Sequence, residues 1–243
     1  PTAVVAAAGL AGLGALLLAG SARSVRAGAA ALAGTLLLGA LAAANLVAVV
    51  RGDAPPLRLA WVKGTYEVPP LYEKWNSFSR IRVDGDPAAF SKPFGWGLSR
   101  TYPADHTVRQ LAMNIDATAV TFLTYYDGSP ESIDFLKYDA TNIAHYIRPG
   151  ARVLVVGSGG GRDVLAALAF DQASVLAVEI NEEINRAVNG RFGDFTGHLD
   201  RDPRVTFVTD EARSYIARSD AHFDILQISL IDTWAATASG AFV

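Results

Sequence analysis

Apolar positions follow three different patterns along this chain of 243 residues. Residues 3–20, AVVAAAGLAGLGALLLAG, and residues 27–50, AGAAALAGTLLLGALAAANLVAVV, carry no charged side chain, and only Thr35 and Asn45 relieve the second run. At roughly 1.5 Å of helical rise per residue, both runs can cross a hydrocarbon core of about 30 Å, the first only just. Residues 1–50 are therefore expected to form two transmembrane helices, a membrane hairpin whose Gly and Ala let the backbones approach closely. A secretory signal peptide or a buried helical hairpin would show a similar composition. The first fits poorly, because no basic stretch precedes the first run and a longer run follows it.

After Arg51 the pattern shortens. LRLAWVKGTYEV, YEKWNSFSRIRVDG, VRQLAMNID and ATAVTFLTYY read as strands, punctuated by Pro69-Pro70, Asp84-Gly85-Asp86-Pro87, Lys92-Pro93 and Asp127-Gly128-Ser129-Pro130. Residues 51–132 are expected to be a small strand-rich subdomain. In SIDFLKYDATNIAHYI, the spacing of Ile133, Leu136, Ala140, Ile143 and Ile147 predicts one amphipathic helix leading to the turn Arg148-Pro149-Gly150.

From Arg152 strands and helices alternate. ARVLVV, ASVLAVEI, RVTFV and FDILQIS read as strands, with RDVLAALAF, EEINRAVNGRF and EARSYIA as the helices between them. The alternation predicts an α/β fold, with residues 133–243 forming a doubly wound, Rossmann-like parallel sheet. Ligands of such sheets lie beyond the carboxyl ends of the strands, where the first strand turns into the first helix.

Composition narrows the partners. A net charge of −3 offers no basic surface for a nucleic-acid backbone. The absence of cysteine removes disulfides, thiolate metal sites and CxxC redox chemistry together, and the four scattered histidines, without an HExxH, suggest no metal. Arg23 and Arg26 lie between the apolar runs, against Arg51, Arg58 and Lys63 after them. That weak bias predicts an integral protein of the inner or plasma membrane with its soluble part in the cytoplasm. The chain opens at Pro1 without methionine and stops at Val243 within an apolar stretch, which reads as a piece of a longer protein. The α/β domain is accordingly expected to be incomplete at its C-terminal end.

The candidate chemistry sits at the first strand-to-helix turn, GSGGGRD. Gly157, Gly159 and Gly161 can take positive φ and present backbone amides, with Ser158 between them, to a ligand at the positive end of a helix. The dinucleotide pattern G-x-G-x-x-G would need a glycine where Arg162 stands, and no lysine completes a phosphate-binding G-x-x-x-x-G-K-[ST]. The form present resembles the first motif of class I S-adenosylmethionine-dependent transferases; a packing turn in an unrelated α/β protein is the plainer alternative. Glu179 closes the second strand, 22 residues after Gly157, where a carboxylate can accept both hydroxyls of a ribose. Asp210 closes the third, placed either to read an adenine amino group or to cap the helix that follows.

With these residues in view, roughly residues 57–243 resemble the spermidine synthase (polyamine aminopropyltransferase) family, in particular its membrane-attached members. The resemblance implies S-adenosylmethionine or its decarboxylated form as co-substrate and a small-molecule acceptor such as an amine; the sequence leaves a homo-oligomer open. It implies site roles for Tyr138 and His145 in YDATNIAH, where Asp139 replaces a histidine of the family pattern, and for Asp232, followed by Thr233 and Trp234. His145 can equally be a packed helix residue, and Asp232 a cap. The departures lie on the substrate side: Gly160 stands where the family carries an aspartate that holds the donor's amino group, and Ser229 stands at its first catalytic aspartate. A serine lacks the charge to hold and deprotonate a cationic nucleophile.

The expected function is therefore a membrane-anchored transferase moving a methyl or aminopropyl group to an unknown nucleophile. The alternative is a catalytically inactive nucleoside-binding or regulatory membrane protein of the same fold. A third possibility, an NAD-dependent oxidoreductase, is disfavoured by Arg162.

Overall fold

The computed structural model describes residues 2–21, 25–51, 53, 55–116 and 119–229. Two compact units divide the chain at Val68/Pro69.

The first unit holds two helices, α1 (Thr2–Ser21) and α2 (Val25–Arg51), long and apolar enough to cross a membrane. They pack because small residues face each other: a Cβ on Gly12 would stand 3.3 Å from the Cβ of Thr35, and one on Gly9 would be 4.0 Å from the Cβ of Leu38. The two uncharged polar residues of α2 are both satisfied. Thr35 donates to the carbonyl of Ala31, while buried Asn45 donates to Thr2 and accepts from the amide of Leu57. Their outer faces are leucine and valine, with Leu17, Leu18 and Val50 all more than 70% exposed. A two-stranded hairpin, β1 (Trp61–Val62) and β2 (Thr65–Tyr66), completes the unit, turning through Lys63 and Gly64 at positive φ.

The second unit contains two sheets. β3 (Tyr72–Trp75), β4 (Arg80–Asp84), β5 (Gln110–Ile115) and β6 (Ala119–Thr124) form an antiparallel meander. β7 (Arg152–Val156), β8 (Ser174–Glu179), β9 (Val205–Thr209) and β10 (Ile225–Gln227) are parallel, in the order β9-β8-β7-β10. Strand order reverses at β7, which makes the crevice between β7 and β10 the topological switch point of a doubly wound sheet. The unbroken apolar run in β7 follows from burial on both faces. Val153 and Val155 pack with α4 (Arg162–Ala169) and α5 (Glu182–Arg186), which the short α6 (Gly193–Thr196) follows, whereas Leu154 and Val156 pack toward Ala212 and Tyr215 of α7 (Ala212–Arg218).

The single helix expected over residues 133–147 is broken in two. A 3-10 helix runs from Pro130 to Tyr138, the chain turns extended at Asp139, and a 3-10 turn and the short helix α3 (Ile143–Ile147) follow. The break comes from Asp139, whose buried carboxylate accepts from the amides of Thr141 and Gly97 and the hydroxyl of Thr141. Such local side-chain bonds compete with the helical ladder. Ile133 and Leu136 therefore enter the core while Ile143 and Ile147 face solvent, and Asn142 and His145 are buried instead.

Candidate functional site

β7 ends at Val156, and the five residues Gly157–Gly161 carry the chain into α4 through three left-handed glycines, with φ of 75° at Gly157, 48° at Gly159 and 84° at Gly161. These are conformations in which a Cβ is strained. Two of the loop's glycines are also packing glycines. A Cβ on Gly161 would lie 2.8 Å from Leu199, and one on Gly160 would collide with the backbone of Phe122 in β6, 2.7 Å from its carbonyl carbon. Gly160 donates its amide to the Thr121 hydroxyl at 3.2 Å, so the antiparallel sheet is docked directly on the loop. Glycine at 160 thus follows from contact with β6.

Glu179 meets the loop from the neighbouring strand. Its carboxylate is buried and accepts from the amide of Gly159 at 3.1 Å through Oε2 and from the amide of Asn181 at 3.0 Å through Oε1. Burial pushes this carboxyl above the usual range, opposed by bonds from the amides of Asn181, Gly159 and Ile180. A carboxylate offers about four lone-pair sites. The Gly159 amide takes one on Oε2 and the Asn181 amide one on Oε1, with the Ile180 amide also bearing on the group, which leaves acceptor capacity for a further donor such as a sugar hydroxyl.

Asp210 is held beside Glu179, its amide donating to the Glu179 carbonyl at 3.1 Å. Its carboxylate accepts from the amide of Glu211 and pairs with Arg218, at one side of a cleft of about 350 Å³ lined by Val208, Tyr215, Arg218 and Ser219. The cap of α7 is Glu211, which accepts from the amides of Arg213 and Ser214, so the capping role open to Asp210 in the sequence belongs to its neighbour. Ser158 is buried in the loop; its hydroxyl donates to Asn185, whose amide nitrogen donates to Thr209 at the end of β9. Gly157, Ser158, Gly159, Gly161, Glu179 and Asp210 are therefore gathered along one edge of the sheet.

Tyr138 and His145 are placed elsewhere. Tyr138 is half-buried edge-on to Tyr102. His145 is buried, with Nε2 bonded to Gln227 at 2.7 Å, Nδ1 to Gln172 at 3.1 Å, and its ring stacked on Phe170. Burial pushes the imidazole below its usual pKa, against the bond to Gln227. Asp232, Thr233 and Trp234 lie outside the described residues.

Several site neighbours carry no signal in the sequence that marks them. Arg162, the residue that breaks the dinucleotide pattern, turns its guanidinium inward to a buried ion pair with Asp139, pinning the start of α4 to the break in the 130–147 segment. Asp163 beside it is 5% exposed, and burial pushes its carboxyl above the usual range, opposed by Ser229 and Gln227 at the end of β10. Asn181 caps α5 and bonds to Asn76 and Ser79 of the antiparallel unit; only its place in NEEI, an N-cap before two acidic residues, was legible beforehand. Among the described residues no group of three or more His, Cys, Asp or Glu could hold a metal ion. A larger cleft of about 770 Å³, lined by Arg109, Tyr125, Glu131 and neighbours, lies on the antiparallel sheet and takes no residue from the glycine loop.

No protein-family model matches the sequence. Among solved structures, the chain is similar to spermidine synthase in complex with the transition state analogue AdoDATO, with 15% identity over 66% of this chain and 47% of that one and a TM-score of 0.42. It is similar to spermidine synthase from Thermotoga maritima, with 15% identity over 68% of this chain and 48% of that one and a TM-score of 0.43. A probable spermidine synthase from Corynebacterium glutamicum matches with 16% identity over 70% of this chain and 57% of that one, with a TM-score of 0.45. The chain spans about half the length of the first two of these structures.

Proposed function

We propose that this protein is a membrane-anchored transferase that binds the nucleoside of S-adenosylmethionine, or of its decarboxylated form, at the Gly157–Gly161 loop and moves an alkyl group from its sulfonium to a small nucleophile. The observation that carries the proposal is Glu179: a buried carboxylate tied to the Gly159 amide beside the glycine loop, with acceptor capacity beyond its amide bonds. That group suits a ribose, and Asp210, held next to it, suits the adenine amino group. The loop holds no lysine for a phosphate, and Arg162 is spent on Asp139, both of which favour a nucleoside over a dinucleotide.

Catalysis in such a site is largely positional. The nucleophile must lie in line with the carbon on sulfur and the leaving thioether, and orientation alone supplies roughly 7–11 kcal/mol in well-aligned reactions. The crevice between β7 and β10 is where the acceptor would enter, with Asp232 the expected contributor from beyond the described residues. Helices α1 and α2 would hold the protein in the inner or plasma membrane with residues 69–243 in the cytoplasm, where the co-substrate is made.

Calorimetry of the full chain in detergent with S-adenosylmethionine, decarboxylated S-adenosylmethionine and NAD tests the proposal. Binding of a sulfonium nucleoside without NAD supports it, and tight NAD binding alone overturns it. Product analysis with putrescine then separates aminopropyl from methyl transfer. Nucleoside binding with no transfer to any amine would favour the regulatory alternative.

A further inference from the structure

Glu179 is held by two amides, and only one of them belongs to the glycine loop. The other, which reaches Oε1, is the amide of Asn181. The Asn181 side chain is fixed in turn by the antiparallel unit: its Oδ1 accepts from Nδ2 of Asn76 at 2.5 Å, and its Nδ2 donates to the Ser79 hydroxyl at 3.0 Å. Asn76 and Ser79 stand in the turn between β3 and β4, where the Asn76 Oδ1 accepts from the amides of Phe78 and Ser79, each at 2.9 Å. Backbone donors thus orient both side-chain amides. Glu183 donates to the oxygen of Asn181 at 3.2 Å, which turns its nitrogen to Ser79, and the turn holds the oxygen of Asn76, which turns its nitrogen to Asn181. Asn181 and Ser79 are both buried. To cap α5, Asn181 needs only the bond from Glu183. Its two bonds to the turn, 105 and 102 residues away in sequence, serve something else.

We infer that Asn181 is a positioning residue for the sugar-binding carboxylate, and that the Asn76–Ser79 turn sets selectivity for ribose through it. The inference rests on the nucleoside assignment above. A carboxylate selects a hydroxyl only while it is ionised and its free lone pair points at the sugar. With its side chain clamped by the turn, Asn181 keeps its backbone amide on Oε1. Released from the turn, the peptide before Asn181 can rotate, and Oε1 loses that donor. Burial already disfavours the charged form of Glu179, against the amides of Asn181, Gly159 and Ile180, so loss of one of these donors leaves a weaker and less directed acceptor. The antiparallel sheet also holds the loop itself, where the Thr121 hydroxyl accepts from the amide of Gly160. It therefore touches both chain segments that bond to Glu179.

Calorimetry on the full chain in detergent, with S-adenosylmethionine and its 2′-deoxy and 3′-deoxy analogues, tests the inference on wild type, Asn76→Asp and Ser79→Ala. The analogue lacking the hydroxyl that Glu179 accepts should bind wild type roughly ten- to a hundredfold more weakly than the parent. Asn76→Asp keeps the oxygen that closes the turn and puts a second oxygen where the nitrogen faced Asn181. It should reduce that preference about tenfold. Ser79→Ala removes only the acceptor of the Asn181 nitrogen and should reduce it less, by roughly two- to tenfold. A turn with a purely structural role would weaken the parent and its analogues equally and leave the ratio as in wild type. An unchanged ratio in Asn76→Asp overturns the inference; should that variant fail to fold, an unchanged ratio in Ser79→Ala overturns it. Wild type that binds all three ligands equally, or none of them, overturns the nucleoside assignment instead.

Discussion

The backbone of Phe122 occupies the space that a side chain at position 160 would need, its carbonyl carbon 2.7 Å from where a Cβ on Gly160 would stand. Phe122 is itself held by Phe94, stacked on it with ring centroids 4.2 Å apart. An aspartate at 160 is thus sterically shut out. Gly160→Ala is expected to cost about 1–3 kcal/mol, as overpacking does, read as a lowered denaturation midpoint. Gly160→Asp should destabilise at least as much and gain no affinity for decarboxylated S-adenosylmethionine. A stable Gly160→Asp protein that binds it more tightly would show that the loop has room to move.

The Arg162–Asp139 pair is buried on both sides, whereas Asp134–Lys137 is partly exposed on both. Removing one partner of a buried pair leaves the other charge uncompensated, at about 3–5 kcal/mol; an exposed pair is worth about 0–1 kcal/mol. Asp139→Ala should therefore sharply lower the stability of the α/β unit in chemical denaturation, and Asp134→Ala should barely change it. Equal effects would mean that the Arg162 guanidinium finds water when Asp139 is removed.

His145 gives a pH dependence of defined sign. Its folded pKa lies below the unfolded value near 6.5 because burial disfavours the imidazolium. Above about pH 6.5 both states are neutral there and the full stability is present. As the pH falls through that value the unfolded chain takes up the proton first, and stability declines until the folded pKa is reached. Asp139, whose burial alone would raise its pKa, is held low by Thr141 and Arg162, so its stabilising contribution is lost only at much more acid pH. Glu179 and Asp163, whose carboxyls burial pushes up, act in the opposite sense, so the His145 contribution is read as a difference: between about pH 7 and pH 5 the wild-type midpoint should fall relative to that of His145→Gln. A pH profile identical in wild type and His145→Gln would contradict the buried, neutral imidazole.

Helices α1 and α2 meet where Gly12 faces Thr35. If they lie in a bilayer, apolarity alone does not hold them together and close approach must. The chain is expected to stay in the membrane pellet after alkaline carbonate washing. Gly12→Leu should leave it there but make the hairpin more susceptible to proteolysis between the helices. Release of wild type into the supernatant would contradict a bilayer-spanning hairpin.

Much of this architecture is legible in the sequence, for reasons that differ by element. The runs in α1, α2 and β7 announce themselves as long or unbroken apolar stretches, in β7 because both faces are buried. The glycine loop is legible because positive φ selects glycine, and Glu179 because a strand end of fixed length places it. What stays hidden depends on tertiary contact. The broken 130–147 segment keeps a helical spacing of Ile133, Leu136, Ala140, Ile143 and Ile147, and only the demand of Arg162 and Gly97 on Asp139 interrupts it. Gly160 reads as a lost functional group until β6 is seen against it. Asp163 has no periodic or motif signal at all, since the groups that oppose the effect of its burial, Gln227 and Ser229, lie more than sixty residues away.

The central claim is that Glu179 receives a ribose at the glycine loop. Titration of S-adenosylmethionine into wild type and Glu179→Gln, each confirmed folded by its melting midpoint, tests it most directly. Bonds to a charged acceptor are worth about 1.5–3 kcal/mol, so the variant should bind roughly ten- to a hundredfold more weakly. Equal affinity in the two proteins would contradict the claim.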